Sequence, residues 1–482
     1  MNKNIKRRFF LKKSAAALAA TTFNFIPDYA AGKMEKNDKL NLAIIGCSHR
    51  AGGIARDALN SGMANCVALC DVVPSRADEL KEKYNKDAPV FDDFRKMFDT
   101  MSNKIDACII GTPDHSHFPI AMLAMSLGKH VYVEKPLAHT FEECELLMAA
   151  EKKYNVFCQM GNQGHSTDQR LQFKSWVDAG IIKNVRRVDA SMNKDRRWHP
   201  WGDVKGFPPA QEMPEGMNWD VWAGTAPKHP YNEKYDPGNW RGWYDYGNGA
   251  FGDWGPHTLD TIHRFLKLGL PHEIRTDKLE GQNDYIYPMA TTIAFEFAER
   301  GPGMPAMSIN WYDGASNKPP RPKEFAEDMD FHHRTITSSS ILPPRGNEFT
   351  EDDMDFPRNG KVIYSDELTF LGGTHSSPLQ IIPGEKMKEV ESKLPDLPER
   401  VTSSNHMHNF LRAVTGKDPW CNSPFKVAAP LTQLFMLGCI VQRLGGTLKF
   451  DTNKKEITNN KRANQLLKGN PPRKGWEEFY RL

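Results

Sequence analysis

At 482 residues the chain exceeds what one hydrophobic core usually supports, so two domains are expected. Lys and Arg number 63 against 60 Asp and Glu, interspersed, and the formal charge is only +3, which excludes a nucleic-acid footprint. After the N-terminus no run of about 20 apolar residues occurs, so no spanning helix is expected.

In chain order, Lys6-Arg7-Arg8-Phe9-Phe10-Leu11-Lys12 precedes an Ala-rich stretch from Ser14 to Ala20. This resembles a twin-arginine export signal, with Lys6 where Ser or Thr is common. The resemblance implies that residues 1–31 are removed near Ala30-Ala31, and that the twin-arginine translocation machinery delivers the folded protein to the periplasm. The competing reading is a plain basic tail. The eight cysteines form no CxxC, and several sit in apolar runs. Buried free thiols are therefore expected, as suits a chain that folds before export.

From 38 to 160 short apolar runs alternate with helical patterns. Strands are predicted at Leu40–Ile45, Cys66–Cys70, Pro89–Phe91, Ile105–Ile110, His130–Val133 and Val156–Met160. Helices are predicted at Gly53–Asn60, Ser75–Lys83, His115–Leu127 and Thr140–Tyr154. This alternation predicts an α/β fold with an N-terminal Rossmann domain, a doubly wound parallel sheet. From 161 to 450 the pattern changes. Helices are predicted at Gln169–Ala179, Pro256–Leu268 and Val427–Arg443, and strands at Ala290–Phe297, Pro305–Trp311 and Lys361–Tyr364. Residues 193–255 read as loops rich in Trp, Pro and Gly. The expectation is an α+β domain with an open, predominantly antiparallel sheet, a mobile insertion at 315–358 and a tail at 451–482.

Gly46-Cys47-Ser48-His49-Arg50-Ala51 after the first strand fits G-x-G-x-x-G/A if Ser48 and Ala51 replace two glycines. Helix N-terminal amides would then face a pyrophosphate. Asp71, 25 residues after Gly46 and at the end of the second strand, can hold ribose hydroxyls and favours NAD. Arg76 stands close enough to leave NADP open. The competing reading of Asp71 is a cap ahead of Pro74-Ser75. Gly111-Thr112-Pro113-Asp114-His115-Ser116-His117 and Glu134-Lys135-Pro136 end the next two long strands, so both face the ligand crevice. The competing reading of Lys135 is a surface lysine paired with Glu134.

Together, G-x-S-x-x-A, TPDHSH and EKP resemble the Gfo/Idh/MocA family of oxidoreductases, over about Leu40 to Phe450. EKP is the specific element. The resemblance implies NAD or NADP as cofactor and a homo-oligomer. It implies that Lys135 touches the nicotinamide ribose and the reacting hydroxyl, and that Glu134, Thr112 and Pro113 line the cofactor pocket; His117, at the same crevice, is a further candidate cofactor contact. The peptide before Pro136 is often cis in that family. Asp253 and His257, within Gly249–His257, are similar to the family's D-x-x-x-H at the substrate face. With Pro256 in a first helical turn, Asp253 is expected at or before the cap, one turn from His257, where a carboxylate can orient an imidazole base. The competing reading is a cap and a packed histidine. Gly161-Asn162-Gln163-Gly164-His165 resembles a segment that contacts nicotinamide and substrate in exported relatives, which assigns Asn162 to the cofactor and Gln163 and His165 to the substrate. No third ligand accompanies His115 and His117, so no metal is expected.

Eight of eleven tryptophans lie between Trp176 and Trp254. Aromatic faces cover the C–H faces of sugars, so Trp198 and Trp240 are candidate substrate contacts; the alternative is that such residues only pack loops. The expected activity is NAD(P)-dependent oxidation of a CH–OH group in a sugar or polyol. The alternatives are a redox-assisted glycoside hydrolase and a non-catalytic sugar-binding protein on the same scaffold.

Overall fold

The computed structural model describes residues 39–196, 198–324 and 359–482. The export-signal stretch and residues 325–358 of the expected insertion lie outside them. The first sheet comprises β1 (Leu40–Ile45), β2 (Ala64–Cys70), β3 (Val90–Phe91), β4 (Ala107–Ile110), β5 (His130–Val133) and β6 (Cys158–Met160). Every pairing is parallel, in the order β3-β2-β1-β4-β5-β6. The central strands are apolar on both faces because helices cover both sides of such a sheet. The order reverses between β1 and β4, which opens the crevice above their carboxyl ends.

Five helices complete this half: α1 (His49–Asn60), α2 (Asp78–Tyr84), α3 (Phe94–Met101), α4 (Asp114–Ser126) and α5 (Phe141–Tyr154). Helix α1 starts four residues before its expected position, because Ala51-Gly52-Gly53 carries no apolar period yet packs closely: a Cβ on Gly52 would lie 2.8 Å from the Cys47 carbonyl oxygen. Helix α3 was not anticipated. Its signals are the Asp93 cap, which accepts from the Arg95 amide, and buried Phe94, Met97, Phe98 and Met101. Helix α5 begins with a complete Thr140/Glu143 capping box.

The second sheet has β7 (Val185–Met192), β8 (Glu273–Glu280), β9 (Ala290–Phe297), β10 (Met307–Asp313), β11 (Asn359–Ser365), β12 (Thr369–Gly372), β13 (Gln380–Ile382), β14 (Thr447–Asp451) and β15 (Glu456–Ile457). Its order is β13-β12-β11-β7-β10-β9-β8-β14-β15, and among the described residues β7–β10 is its one parallel pairing. Helices α6 (Asp168–Asp178), α7 (Trp219–Ala223), α8 (Gly249–Thr258) and α9 (Asp260–Phe265) belong to this half.

The expected helix Pro256–Leu268 is corrected. Helix α8 starts seven residues earlier, at Gly249, whose φ of 60° and closeness to the Tyr287 ring exclude a side chain. Pro256 lies inside it and removes one ladder bond, and the chain breaks at Leu259 before α9. Asp253 therefore sits within a helix, not at its cap.

The helix Phe425–Leu444 is apolar enough to cross a membrane by length and composition, but it is buried and packs on α5 and α8. Buried Glu151 accepts its first amides, from Phe425 at 3.0 Å and Lys426 at 2.9 Å. The C-terminal residues pack back on the Rossmann half. Trp476 and Phe479 pack with tilted rings on Phe94, and the Tyr480 hydroxyl donates to Glu143 at 2.6 Å. All eight cysteines are buried and unpaired.

Candidate active site

Both halves line a cleft of about 730 Å³ above β1 and β4, within the range of small-ligand sites. Its nucleotide end is shaped by close backbone approaches. Gly46 has φ 82°, and a Cβ there would lie 2.9 Å from the Gly111 carbonyl oxygen; a Cβ on Gly111 would lie 2.4 Å from the Ala51 Cβ. These contacts let the turn Gly46–Ala51 press against β4 and leave room above it. Ser48 caps α1 without a side-chain hydrogen bond, so the first-turn amides of His49, Arg50 and Ala51 remain donors toward the cleft. Asp71 Oδ2 accepts from the Cys47 amide at 2.9 Å and Oδ1 from the Val73 amide at 3.1 Å. Burial raises its carboxyl, and those amides oppose the rise. Arg76 lies 4.0 Å from Asp71 but pairs with Asp236 of the second half. Thr112 Oγ1 is buried with no partner, and Pro113 precedes α4 in the cleft wall.

At the other end, Lys135, Asp253 and His257 line the same cleft. The Lys135–Pro136 peptide is cis. Lys135 Nζ donates to Asp253 Oδ1 at 2.5 Å and to the Asp253 carbonyl at 3.0 Å. Arg241 Nε is 3.2 Å from the same carboxylate. Burial opposes ionisation of Asp253, but Arg241 and Lys135 outweigh it and hold the carboxyl far below its usual range. His257 is buried and driven well below the ordinary imidazole value by desolvation, then by Lys135 and His375. It is a neutral imidazole beside a cation. Buried Glu134 lies 3.8 Å from Arg50 and accepts from Gln163 Nε2 at 3.2 Å. Burial raises its carboxyl against Arg50 and Lys135. Gly161 makes this packing possible, since a Cβ there would lie 2.4 Å from Glu134 Oε1.

Four expected contacts do not reach the cleft. His117 bridges the Pro136 and Thr112 carbonyls at 2.8 and 2.9 Å, tying the two motif loops together from behind. Asn162 is buried, with Oδ1 unpartnered, outside the cleft wall. His165 joins a core network, with Nδ1 3.3 Å from Asp260 and Nε2 2.5 Å from Arg264. Trp198 packs on Gly242. Most tryptophans of 193–255 form an aromatic core with Tyr235 and Tyr246, because loops without ladders need their own apolar interior; Trp222 and Trp240 are the ones that line the cleft.

Sequence reasoning missed Asp114, Arg241, Asp236 and His375 as site residues. Asp114 lay inside the quoted motif; burial, opposed by Arg241, raises its carboxyl to about 7, and it accepts the Asn248 amide at 3.1 Å. Arg241 adjoins Trp240, a candidate substrate contact, in the sequence. His375 follows the insertion and had no motif around it. Among the described residues no group of three His, Cys, Asp or Glu is placed to hold a metal.

Residues 40–162 match the oxidoreductase family, NAD-binding Rossmann fold, of the Gfo/Idh/MocA group, and residues 167–299 match its C-terminal alpha/beta domain. The chain belongs to the Gfo/Idh/MocA family. Its Rossmann half is of the NAD-binding type. Among similar proteins is "Glycosyl hydrolase family 109 protein 2" of Shewanella sp. (strain ANA-3), 29% identical over 216 residues, covering 40% of this chain and 47% of that one. An "Inositol 2-dehydrogenase/D-chiro-inositol 3-dehydrogenase" of Lactiplantibacillus plantarum is 28% identical over 123 residues, 25% of this chain and 35% of that one. The match thus spans half or less of these curated relatives. The fold is shared with the WlbA dehydrogenase of Bordetella pertussis in complex with NADH and UDP-GlcNAcA (TM-score 0.55, 14% identity, 86% of this chain and 99% of that one). It is also shared with an aldose-aldose oxidoreductase of Caulobacter crescentus (TM-score 0.51, 15% identity, 86% of this chain and 100% of that one).

Proposed function

We propose that this Gfo/Idh/MocA protein is a dehydrogenase for a CH–OH group of a sugar or polyol, with a retained NAD. The observation that carries it is the shared cleft: the turn Gly46–Ala51 and Asp71 at one end, Lys135, Asp253 and His257 at the other. The donor set fits a dinucleotide. First-turn amides of α1 would hold the pyrophosphate and Asp71 the ribose; Arg76, committed to Asp236, is poorly placed to favour a 2′-phosphate. When bound, the nicotinamide supplies the hydride acceptor. His257, neutral, accepts the proton of the substrate hydroxyl. Lys135 donates a hydrogen bond to that oxygen and is held in line by Asp253. Trp222 and Trp240 offer apolar surface to the substrate's C–H faces.

Export by the twin-arginine route, suggested by the residues around Arg7-Arg8, supports a cofactor that does not leave, since free NAD would not be replenished outside the cytoplasm. The test is to denature the purified full chain and identify the released nucleotide, then to ask which polyols reduce the bound nicotinamide. The expected result is NAD(H) near one per chain and reduction by a polyol; a chain unable to hold NAD or NADP overturns the reading. The similarity to a glycosyl hydrolase family 109 protein supports a second reading, in which transient oxidation serves hydrolysis. Release of free sugar from aryl glycosides without net nicotinamide reduction would select it.

A further inference from the structure

His375 stands in the loop after β12, outside both stretches matched by the family, and the chemistry above gives it no task. Yet it lines the cleft, and its ring lies face to face with His257, centroids 3.9 Å apart and planes 18° from parallel. Trp254 packs edge-on to both rings. Several restraints impose this placement. The His375 amide donates to the His257 carbonyl at 2.6 Å. Gly164 lets the loop approach so closely that a Cβ would lie 2.5 Å from the His375 carbonyl carbon. Buried Lys361 donates at 3.1 Å to both the Thr258 and Gly373 carbonyls, fastening the end of α8 to the loop. His375 and Ser376 both have positive φ, 55° and 52°, a conformation that non-glycine residues keep only where their surroundings demand it.

The free edges of the two rings follow from their contacts. His257 Nδ1 is buried out of a ligand's reach, so Nε2 is the nitrogen that can meet one. His375 Nδ1 meets the Thr374 hydroxyl at 2.9 Å, which also leaves Nε2. Rings stacked 3.9 Å apart, both lining one cleft, lie close enough for one hydrogen bond apiece to two neighbouring hydroxyls. We propose that His257 and His375 form a receptor for two hydroxyls on adjacent carbons, so that the substrate class is a vicinal diol, a ring polyol or sugar oxidised beside a free hydroxyl. This rests on the dehydrogenase reading above. His257 takes the proton of the reacting hydroxyl; His375 hydrogen-bonds the neighbouring one, which stays intact.

The test compares wild type with His375→Ala, using D-glucose, myo-inositol and their monodeoxy analogues. It reads single-turnover reduction of the bound nicotinamide, together with NMR of the histidine rings in the wild-type chain. Loss of the neighbouring hydroxyl should raise KM at least tenfold in wild type. His375→Ala should raise KM for the parent polyol by a similar factor and add no further penalty on the deoxy analogue. Polyol should shift both the His257 and His375 ring signals. Unchanged KM in His375→Ala, penalties that multiply, or ring signals that stay still overturn the receptor. A wild type that no compound reduces, but whose two rings still respond to polyol, overturns the dehydrogenase reading and supports the receptor as a diol site.

Discussion

Lys135 grips Asp253 twice, through the carboxylate at 2.5 Å and the backbone carbonyl at 3.0 Å, and so joins the loop after β5 to the middle of α8. The ammonium is thereby aimed into the cleft with few alternatives. Lys135→Met should leave nucleotide content near that of wild type, because the contacts proposed for phosphate and ribose lie at the other end of the cleft. Single-turnover reduction should fall about 10²–10³-fold, the usual worth of one preorganised donor to a reacting oxygen. Stopped-flow absorbance of the bound nicotinamide checks it, and a variant as fast as wild type would remove the central role given to this lysine.

In the proposed reaction His257 sets the acid limb of turnover. Its proton-accepting form is neutral, and desolvation, Lys135 and His375 all depress its affinity for protons. Activity should therefore persist well below the ordinary imidazole range and be lost only as pH falls through the depressed value. In the residual activity of Lys135→Met, removal of the neighbouring cation should move that limb to higher pH. The pH dependence of the single-turnover rate measures both; a limb at the ordinary imidazole value in wild type would contradict a dry, cation-flanked His257.

Much of this was legible beforehand because the first half obeys local rules. β1 and β5 were predicted to the residue, since a buried parallel strand is a short apolar run bounded by polar or glycine residues. Helix α8 was misplaced because Pro256 looks like a first-turn residue, while the true start depends on Tyr287, which is remote in sequence and meets Gly249 only in the fold. Trp198 was assigned to the substrate by residue type and His165 by the likeness of its segment to one in exported relatives; the structure uses one as loop core and the other in a buried network, because partners remote in sequence decide both places. His375 was invisible for the same reason: its place beside His257 depends on Lys361 and Gly164, a relation that no spacing records.

Gly111 tests the cradle without touching the chemistry. A methyl there meets Ala51 Cβ at 2.4 Å and Ala51 Cα at 3.0 Å, so α1 must move away from β4. Gly111→Ala should cost about 1–3 kcal/mol of stability and release the nucleotide. Gly62→Ala is the control: its φ is 73° but nothing lies within 4 Å of the new methyl, so only local backbone strain is expected and nucleotide should be retained. Thermal unfolding and nucleotide content distinguish them; full occupancy in Gly111→Ala would show that the close approach is dispensable.

Lys361 yields a stability signature with a definite sign. Burial lowers its ammonium from the ordinary lysine value to about 8, with Asp260 opposing. The unfolded chain therefore binds more protons than the folded one between about pH 8 and about 10.4, and stability from this group rises with pH across that window. The gain is on the order of 3 kcal/mol, since the site is fully buried. Lys361→Met loses this dependence and leaves the Thr258 and Gly373 carbonyls without their donor. Chemical denaturation at pH 7 and pH 10 should show wild type gaining on the variant as pH rises, with shared titrations cancelling in the difference. A difference that stays flat, or moves the other way, would mean that Lys361 is not held as a buried ammonium.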